Sequence, residues 1–536
     1  MTPSPNQNSD VTTVESISDD NAGDGLKRHK FEFESGGSIS NSSSDDDDCF
    51  RSNEGTPVSQ KRHLCRWTGL RLPRPSTPLG NFLLMAVLFS ANHATVSSCL
   101  SLATTQLGDV VGGNQSAVLY LTYTLSAVTG ATYVVKRWGP RDALAFGTGL
   151  YCLYVGCFLV ATVRRDDVAF AKASLYVGAA VGGIGGGFLW TAQGSFFARA
   201  AEDHAAGKGV SNKEATSALG GWFACIYLSG EVLLKLLSSF LVEGVGAKWC
   251  WVFGLYTIVA VTSSAGMGLM VRDCRQTFDA NIADLENISD DDINDDVTTL
   301  RNIMAAWDLL VSDPKMKHLA GLNAAFGVSS AFVNSFVNGV VVPIALGSDD
   351  GEKDTSGYVG SLSALTPAVA AVVSVPFGEL ARRTGKGPVL VTGALAFFLT
   401  GFLFAAKPRL ATWDWASLAA VYSVLGIGRA TFEGTLRATF ADYFPGEQEG
   451  AFANIVLQNG LSSAAGFALS TSFPCIEEGT YCVEYRDGSM HNVLAFEVIV
   501  MITALWGILG YWRAAVLRKR EKKAYEVRQR MYQQLT

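Results

Sequence analysis

Charged residues are scarce in most of this chain. Only 17% of its 536 residues are Asp, Glu, Lys or Arg, whereas 48% are hydrophobic and 55 are glycine. A soluble protein needs a more charged surface, so this composition indicates that lipid surrounds most of the chain. The formal charge of −7 comes largely from the N-terminal segment and from the stretch 279–296. We therefore expect no nucleic-acid partner.

Patterns typical of catalytic, cofactor or metal sites are also missing. The ten cysteines are scattered, mostly inside apolar runs, without metal-ligand spacing. The glycine run GGIGGG (182–187) does not fit G-x-G-x-x-G and lies inside an apolar segment, which favours helix packing. In the acidic stretch 290–301, Asp295 and Arg301 stand where a calcium loop requires Gly and Glu. We predict no enzyme activity, no cofactor and no metal.

Long apolar runs recur from Leu79 to Trp512, separated by short polar gaps. A bilayer core of about 30 Å needs roughly 20 apolar residues per helix. The chain is therefore predicted to be an all-α polytopic membrane protein with twelve transmembrane helices. The predicted spans are 79–102, 116–135, 142–163, 172–197, 215–240, 249–271, 318–346, 358–380, 388–406, 416–441, 450–473 and 493–513.

Three segments of the first half recur in the same order in the second half. KRWGP (136–140) matches RRTGKGP (382–388), GIGGGFLWTAQGSFFA matches GIGRATFEGTLRATFA (426–441), and GWFACIYL matches GAFANIVL (450–457). Transporter folds are commonly built from such duplicated units. The sequence therefore predicts two similar six-helix halves.

Five regions follow from this organisation. Residues 1–75 contain few apolar side chains that could form a core, so they are predicted to be a disordered acidic cytoplasmic tail. In the acidic linker, Leu300, Ile303, Met304, Trp307 and Leu310 recur at helical spacing before Pro314, which predicts a helix on the membrane surface. The remaining boundaries give a first half at 76–271, a linker at 272–316, a second half at 317–513 and a basic cytoplasmic tail at 514–536.

Lys and Arg concentrate in alternate loops, which predicts that both termini are cytoplasmic. Asn114 begins an Asn-Gln-Ser sequon in the first outer loop, where glycosylation is expected. Cys475 and Cys482 flank a short polar segment in the last outer loop, where a disulfide is expected.

Ionisable residues inside predicted spans form two clusters. Glu231 and Lys235 are spaced i, i+4 in span five, and Arg429, Glu433 and Arg437 repeat that spacing in span ten. One interpretation is a central cavity in which Glu231 or Glu433 exchanges a proton or cation and Arg429 holds an anion. The other is a pair of structural salt bridges. Arg437 is expected to reach the inner headgroups.

Other polar side chains in the spans complete the set of cavity candidates, although such groups also serve to join helices. They are Asn92, His93, Gln193, Asn334, Asn338 and Asn454.

Local motifs resemble a known superfamily. GELARRTGKGPVL (378–390) resembles the major facilitator loop between the second and third helices of a half, with Ala381 in place of the usual aspartate. The loop residues that carry this resemblance are Gly378, Arg382, Arg383, Gly385 and Lys386. The resemblance implies the major facilitator superfamily fold.

A narrower resemblance is to the Unc-93-like family of that superfamily. GGGFLWTAQGSFFA (185–198) resembles its fourth-span signature, AFANIVLQNGLSSAAGFAL (451–469) its eleventh span, and the segment 119–160 its second and third spans. Gln458 and Asn459 stand where a Trp-Glu pair is usual.

The Unc-93-like resemblance implies a multi-pass protein of the plasma membrane or an endomembrane, with the lipid bilayer and a membrane channel or receptor as partners. The leading hypothesis is a role in ion (potassium) homeostasis, as a transporter or a channel-associated regulator. A trafficking adaptor for other membrane proteins and a proton-coupled carrier of a small organic solute are the alternatives.

Overall fold

The computed structural model describes residues 75, 77–107, 109–272, 295–347, 355–475, 479–485 and 488–535. The predicted acidic tail up to residue 74 and the acidic segment 273–294 lie outside the described residues.

Six helices form the first half of the bundle, and two of them contain a π-helical turn. They are α1 (Pro78–Leu107), α2 (Asp109–Ser126, a π-helical turn Ala127–Ala131, and Thr132–Trp138), α3 (Pro140–Val163), α4 (Val168–Lys208), α5 (Asn212–Ser239 with a π-helical turn Phe240–Gly244) and α6 (Trp249–Met270).

The linker contributes α7 (Asp295–Ser312), and six further helices form the second half. They are α8 (Pro314–Phe332, a π-helical segment Val333–Val341, and Val342–Leu346), α9 (Ser356–Thr384), α10 (Lys386–Ala406), α11 (Trp415–Ala430, a π-helical segment Thr431–Leu436, and Arg437–Tyr443), α12 (Gln448–Leu469) and α13 (Leu494–Leu535). A 3₁₀ turn, Leu410–Thr412, precedes α11, and two short strands, β1 (Cys482–Glu484) and β2 (Met490–Asn492), precede α13.

Among the described residues, ten helices are long and apolar enough to cross a membrane. The two bundle helices outside this set are α11, which carries three charged residues in its middle, and α12, which carries Gln458 and Asn459. Both pack inside the bundle, where Glu433, Arg437 and Asn459 are buried. The predicted fold of two six-helix halves is confirmed, and ten of its twelve bundle helices have the length and hydropathy of a membrane span.

The repeated basic loops form the same turn in both halves. Gly139 joins α2 to α3 with φ of 88°, and Gly385 joins α9 to α10 with φ of 89°. L-residues with a side chain rarely adopt this conformation, so each turn requires glycine. We call this end of the bundle, where α7 also packs, the linker end, and the opposite end the disulfide end.

The linker helix α7 packs on the bundle through its small residues. Ala305 and Ala306 are buried, and the Asn454 side chain of α12 donates to the Ala306 carbonyl at 2.7 Å. Met304 and Trp307 are exposed. The linker therefore forms a helix that is attached to the bundle, and its position on the membrane surface stays a prediction.

At the disulfide end, a bond joins Cys475 to Cys482. Strands β1 and β2 pair antiparallel beside it, with Cys482 opposite Asn492. A backbone hydrogen bond from Cys475 to the Met490 carbonyl adds to this small cap.

One sequence expectation about a loop differs from the structure. Asn114 lies within α2 rather than in a loop, and the flanking Gln115 and Ser116 are buried, because the helix extends beyond its apolar run. The predicted loop position of the sequon is therefore wrong, whereas Asn114 itself is exposed and its glycosylation stays a prediction. The segment 514–535 continues α13 as a helix, and its Glu521 pairs with Lys315 at 2.5 Å.

Candidate functional site

A central cavity of about 120 Å³ lies between the two halves. Its walls come from α1, α2, α3, α4 and α5 on one side and from α8, α9, α11 and α12 on the other. A volume of this kind holds several water molecules or a small solute. Five charged side chains line it: Glu231, Lys235, Arg429, Glu433 and Arg437.

Arg429 of α11 forms an ion pair with Glu231 of α5 across the two halves. Its Nη1 lies 2.9 Å from Oε1 and its Nη2 lies 2.5 Å from Oε2 of Glu231, so the contact is bidentate. Nη2 also donates to the Tyr227 hydroxyl at 3.0 Å, and Lys235 Nζ lies 2.8 Å from Glu231 Oε1. The fully buried Glu231 carboxylate is therefore shared by two cations, one from each half.

Arg437 occupies a second polar site nearer the linker end. Its Nε lies 3.3 Å from Glu433 Oε2, and its Nη1 donates to the Gln193 side-chain oxygen at 3.4 Å. The guanidinium lies 4.3 Å from the centre of the Trp190 ring, a cation–π contact. The side chain is only 4% exposed, so the expectation that it reaches the headgroups is wrong. The reason is that α4 supplies Trp190 and Gln193 as partners, which helical spacing within α11 does not reveal.

The charges that line the cavity do not cancel. Lys235, Arg429 and Arg437 contribute three positive charges against the two of Glu231 and Glu433, which leaves a formal charge of +1. These are the only Asp, Glu, Lys or Arg residues among the described residues that line the cavity. Because charge in a low-dielectric interior is costly when unpaired, the cavity favours an anionic group.

His93 lies in an aromatic cluster beside these charges. Its ring centre is 4.9 Å from that of Trp190, 5.3 Å from that of Tyr227 and 5.6 Å from that of Tyr151. Its Nδ1 is buried without a hydrogen-bond partner among the described residues. Histidine here forms part of the aromatic wall and retains one polar atom that is not satisfied by the protein.

The two asparagines of α8 also line the cavity. Asn338 accepts from the Tyr422 hydroxyl at 2.5 Å and donates to the Ser101 carbonyl at 3.4 Å. Asn334 donates to the Ser330 carbonyl one turn earlier. Both asparagines lie in the π-helical segment Val333–Val341, which locally changes the helical register.

Three of the predicted candidates lie outside this cavity lining. Asn92 is buried within the first half and donates to the Ala260 carbonyl at 3.0 Å. Asn454 anchors α7 as described above, and Gln193 reaches the site only through Arg437. Asn92 and Asn454 therefore join helices, which is the alternative that the sequence had left open.

Sequence reasoning missed Tyr227, whose hydroxyl contacts Arg429. The only indication in the sequence was the hydroxyl group of this tyrosine, which lies four residues before Glu231 on the same helix face.

The basic loop motif lies at the linker end, away from the cavity. Arg382 pairs with Glu379 at 2.7 Å and with Glu214 of the other half at 3.0 Å, and Arg383 pairs with Glu379 at 2.5 Å. A methyl group at Gly378 would lie 2.8 Å from the Ser217 carbonyl oxygen, so glycine permits close contact with α5.

Lys386 completes this motif from the first turn of α10. It is buried and pairs with Asp442 at 2.7 Å, and it also donates to the Ala438 carbonyl. Together, Glu379 and Asp442 supply acidic contacts at this end, where Ala381 replaces the usual aspartate.

Two family models match different parts of the chain. The model of the major facilitator superfamily matches residues 324–530, and a model described as "Ion channel regulatory protein UNC-93" matches residues 109–229. The first match covers most of the second half, and the second covers α2 to α4 and much of α5.

Two similar proteins carry UNC-93 names. The chain is 25% identical over 364 residues to UNC93-like protein 3 of Arabidopsis thaliana, covering 66% of this chain and 72% of that protein. It is 23% identical over 404 residues to Protein unc-93 homolog A of Bos taurus, covering 68% of this chain and 81% of that protein.

Solved structures share the fold at low sequence identity. The xylose transporter XylE from E. coli aligns with a TM-score of 0.52 at 14% identity, over 80% of this chain and 95% of XylE. The nucleoside transporter NupG aligns with a TM-score of 0.52 at 11% identity, over 81% of this chain and 99% of NupG. These alignments support the major facilitator fold.

Proposed function

We propose that this chain, an Unc-93-like membrane protein with the major facilitator fold, binds a small solute in its central cavity and carries it across the membrane. The observation that carries this proposal is the Arg429–Glu231 ion pair, which joins the two halves at the wall of an open cavity.

The position of this ion pair favours a role in solute binding over a purely structural role. A salt bridge that serves only to join helices needs no space beside it, whereas Arg429 and Glu231 both line the cavity. A solute that binds Arg429 contacts the same guanidinium that joins the two halves through Glu231. Solute binding is thereby coupled to the contact between the halves, as a carrier requires.

The cavity is poorly suited to a bare cation. Its surplus positive charge repels potassium, and both carboxylates are already paired. If the protein acts in potassium homeostasis, regulation of a membrane channel therefore explains that role better than transport of potassium does. Channel regulation is the second candidate function. The match of residues 109–229 to the model described as an ion channel regulatory protein favours that candidate.

We further propose that the linker end faces the cytoplasm. Basic residues of the loops and of α13 concentrate at this end, whereas the disulfide lies at the other. A reporter fused after residue 536 that is active only in the cytosol should then give signal, and its silence would reverse the orientation.

Uptake into proteoliposomes tests the carrier function. Wild-type protein should accumulate at least one of three radiolabelled probes, benzoate, glucose or rubidium as a potassium tracer, above protein-free liposomes. Arg429→Ala should lower that uptake by about tenfold or more, because a charge-assisted contact is lost. Arg409→Ala, which removes an exposed arginine outside the cavity, serves as the matched control.

Equal uptake by wild type and Arg429→Ala would reject the cavity as the solute path. No uptake of any probe, together with a channel subunit recovered by affinity purification, would favour the regulator instead.

A further inference from the structure

We infer that the ligand of the central cavity is a small monovalent organic anion with a flat aromatic or unsaturated body, of the class of aromatic monocarboxylates. This inference rests on the proposed solute site and adds the chemical class of its ligand.

The valence follows from the charges in the wall. Three cations and two carboxylates line the cavity, so a single negative charge brings the occupied site to neutrality. A neutral solute leaves one buried positive charge uncompensated, and a cation adds to it. A divalent anion exceeds the available surplus unless a proton is bound with it.

Donors for a carboxylate remain available beside Glu231. Arg429 uses Nη1 and Nη2 on Glu231 and Tyr227, whereas its buried Nε has no partner among the described residues. Lys235 has three N–H donors, and the ion pair with Glu231 accounts for one of them. A carboxylate between Arg429 and Lys235 would receive charge-assisted hydrogen bonds from both.

The rest of the wall is rich in aromatic side chains. Eight aromatic side chains line it, in addition to His93: Tyr120, Tyr123, Tyr151, Trp190, Tyr227, Phe326, Tyr422 and Phe432. Aromatic rings present flat apolar faces and edges, which pack against planar groups. A cavity of about 120 Å³ is of the size that accommodates a single ring.

The polar residues toward α8 and α9 do not change this assignment. Asn338 is already engaged by Tyr422 and Ser101, and Asn334 by Ser330. On α9, Thr366 donates to the Tyr422 carbonyl. The aromatic residues therefore provide much of the surface left for the body of the ligand, and the cations provide its anchor.

A charge series of equal shape tests the inference on the purified full-length protein in detergent. Benzoate, benzyl alcohol and benzylammonium share the ring and differ in charge, and acetate shares the carboxylate without the ring. Calorimetric titration should show benzoate binding about 10- to 100-fold more tightly than each of the other three.

Two variants test whether Arg429 and Lys235 produce the preference for an anion. Arg429→Ala should remove most of the preference for benzoate over benzyl alcohol. Lys235→Met brings the cavity to zero net charge while Glu231 keeps its bidentate partner, so it should fold and reduce the same preference by about tenfold or more. Arg409→Ala should leave the preference unchanged.

The outcomes separate this inference from the function on which it rests. Tighter binding of benzyl alcohol or benzylammonium, or transport of glucose or rubidium without benzoate, overturns the anion class and leaves the carrier function standing. Equal binding of acetate and benzoate overturns the aromatic component. Failure of every probe to bind or to be taken up overturns both proposals.

Discussion

Helices α4 and α11 occupy equivalent positions in the two halves, yet only α11 contributes charged side chains to the site. Aligning Gly183 with Gly426 places Gly186, Trp190 and Gly194 opposite Arg429, Glu433 and Arg437. The version in the first half has no charge at these positions, whereas the version in the second half has three. Duplication has thus preserved the architecture while the charges are confined to one copy.

Packing explains why α4 carries glycines at these positions. A methyl group at Gly194 would lie 2.0 Å from the Phe452 ring, and one at Gly186 would lie 2.8 Å from the Tyr123 ring. Neither position has room for a side chain. The corresponding arginines of α11 reach the cavity instead.

Helices α5 and α12 are also equivalent, but here the charged residues lie in the helix of the first half. The matching segments GWFACIYL and GAFANIVL place Glu231 opposite Gly460 and Lys235 opposite Ala464. A methyl group at Gly460 would lie 2.5 Å from the Tyr123 ring. Charges therefore come from α5 in the first half and from α11 in the second, so the central ion pair necessarily crosses between halves.

The largest loss of stability is expected from removing a buried cation of α11. Arg437→Met leaves the buried Glu433 carboxylate without its ion-pair partner, which should cost about 3–5 kcal/mol. Unfolding in mixed micelles measures this change. The double variant Arg437→Met, Glu433→Gln should recover most of it, and a double variant as unstable as the single one would show that packing on Trp190 dominates.

A smaller loss is expected at the equivalent position of α4. Gly194→Ala forces a methyl group against Phe452 and should cost about 1–3 kcal/mol by the same assay. Gly207→Ala is the control, because nothing lies within 4 Å of that position. If the two variants were equally stable, steric exclusion would not explain the difference between α4 and α11.

The smallest effect is expected for an ion pair between the halves that is accessible to solvent. Lys136 and Glu447 lie 3.2 Å apart at the linker end, and their side chains are 26% and 45% exposed. Lys136→Ala should change the free energy of unfolding by about 0–1 kcal/mol. A loss comparable to that of Arg437→Met would show that burial is not what distinguishes the charges of α11.

The sequence predicted much of the site, with particular gaps. Glu231, Lys235, Arg429 and Glu433 stood out because a charge inside an apolar run is costly, and all four line the cavity. Asn92 stood out for the same kind of reason, yet it satisfies a carbonyl between helices. A polar residue in a span signals a buried partner, but it does not reveal whether that partner is protein or solute.

The amino-acid sequence by itself determined the spans and the duplication, because hydrophobicity, glycine turns and repeated motifs are local properties of the chain. Only the tertiary structure decided which charges meet. Arg429 pairs with Glu231, which lies 198 residues away in the sequence, and Arg437 contacts Trp190 and Gln193 on a helix of the other half. Spacing along one helix reports only neighbours on that helix, whereas the packing of the two halves selects among all charged groups that face the cavity.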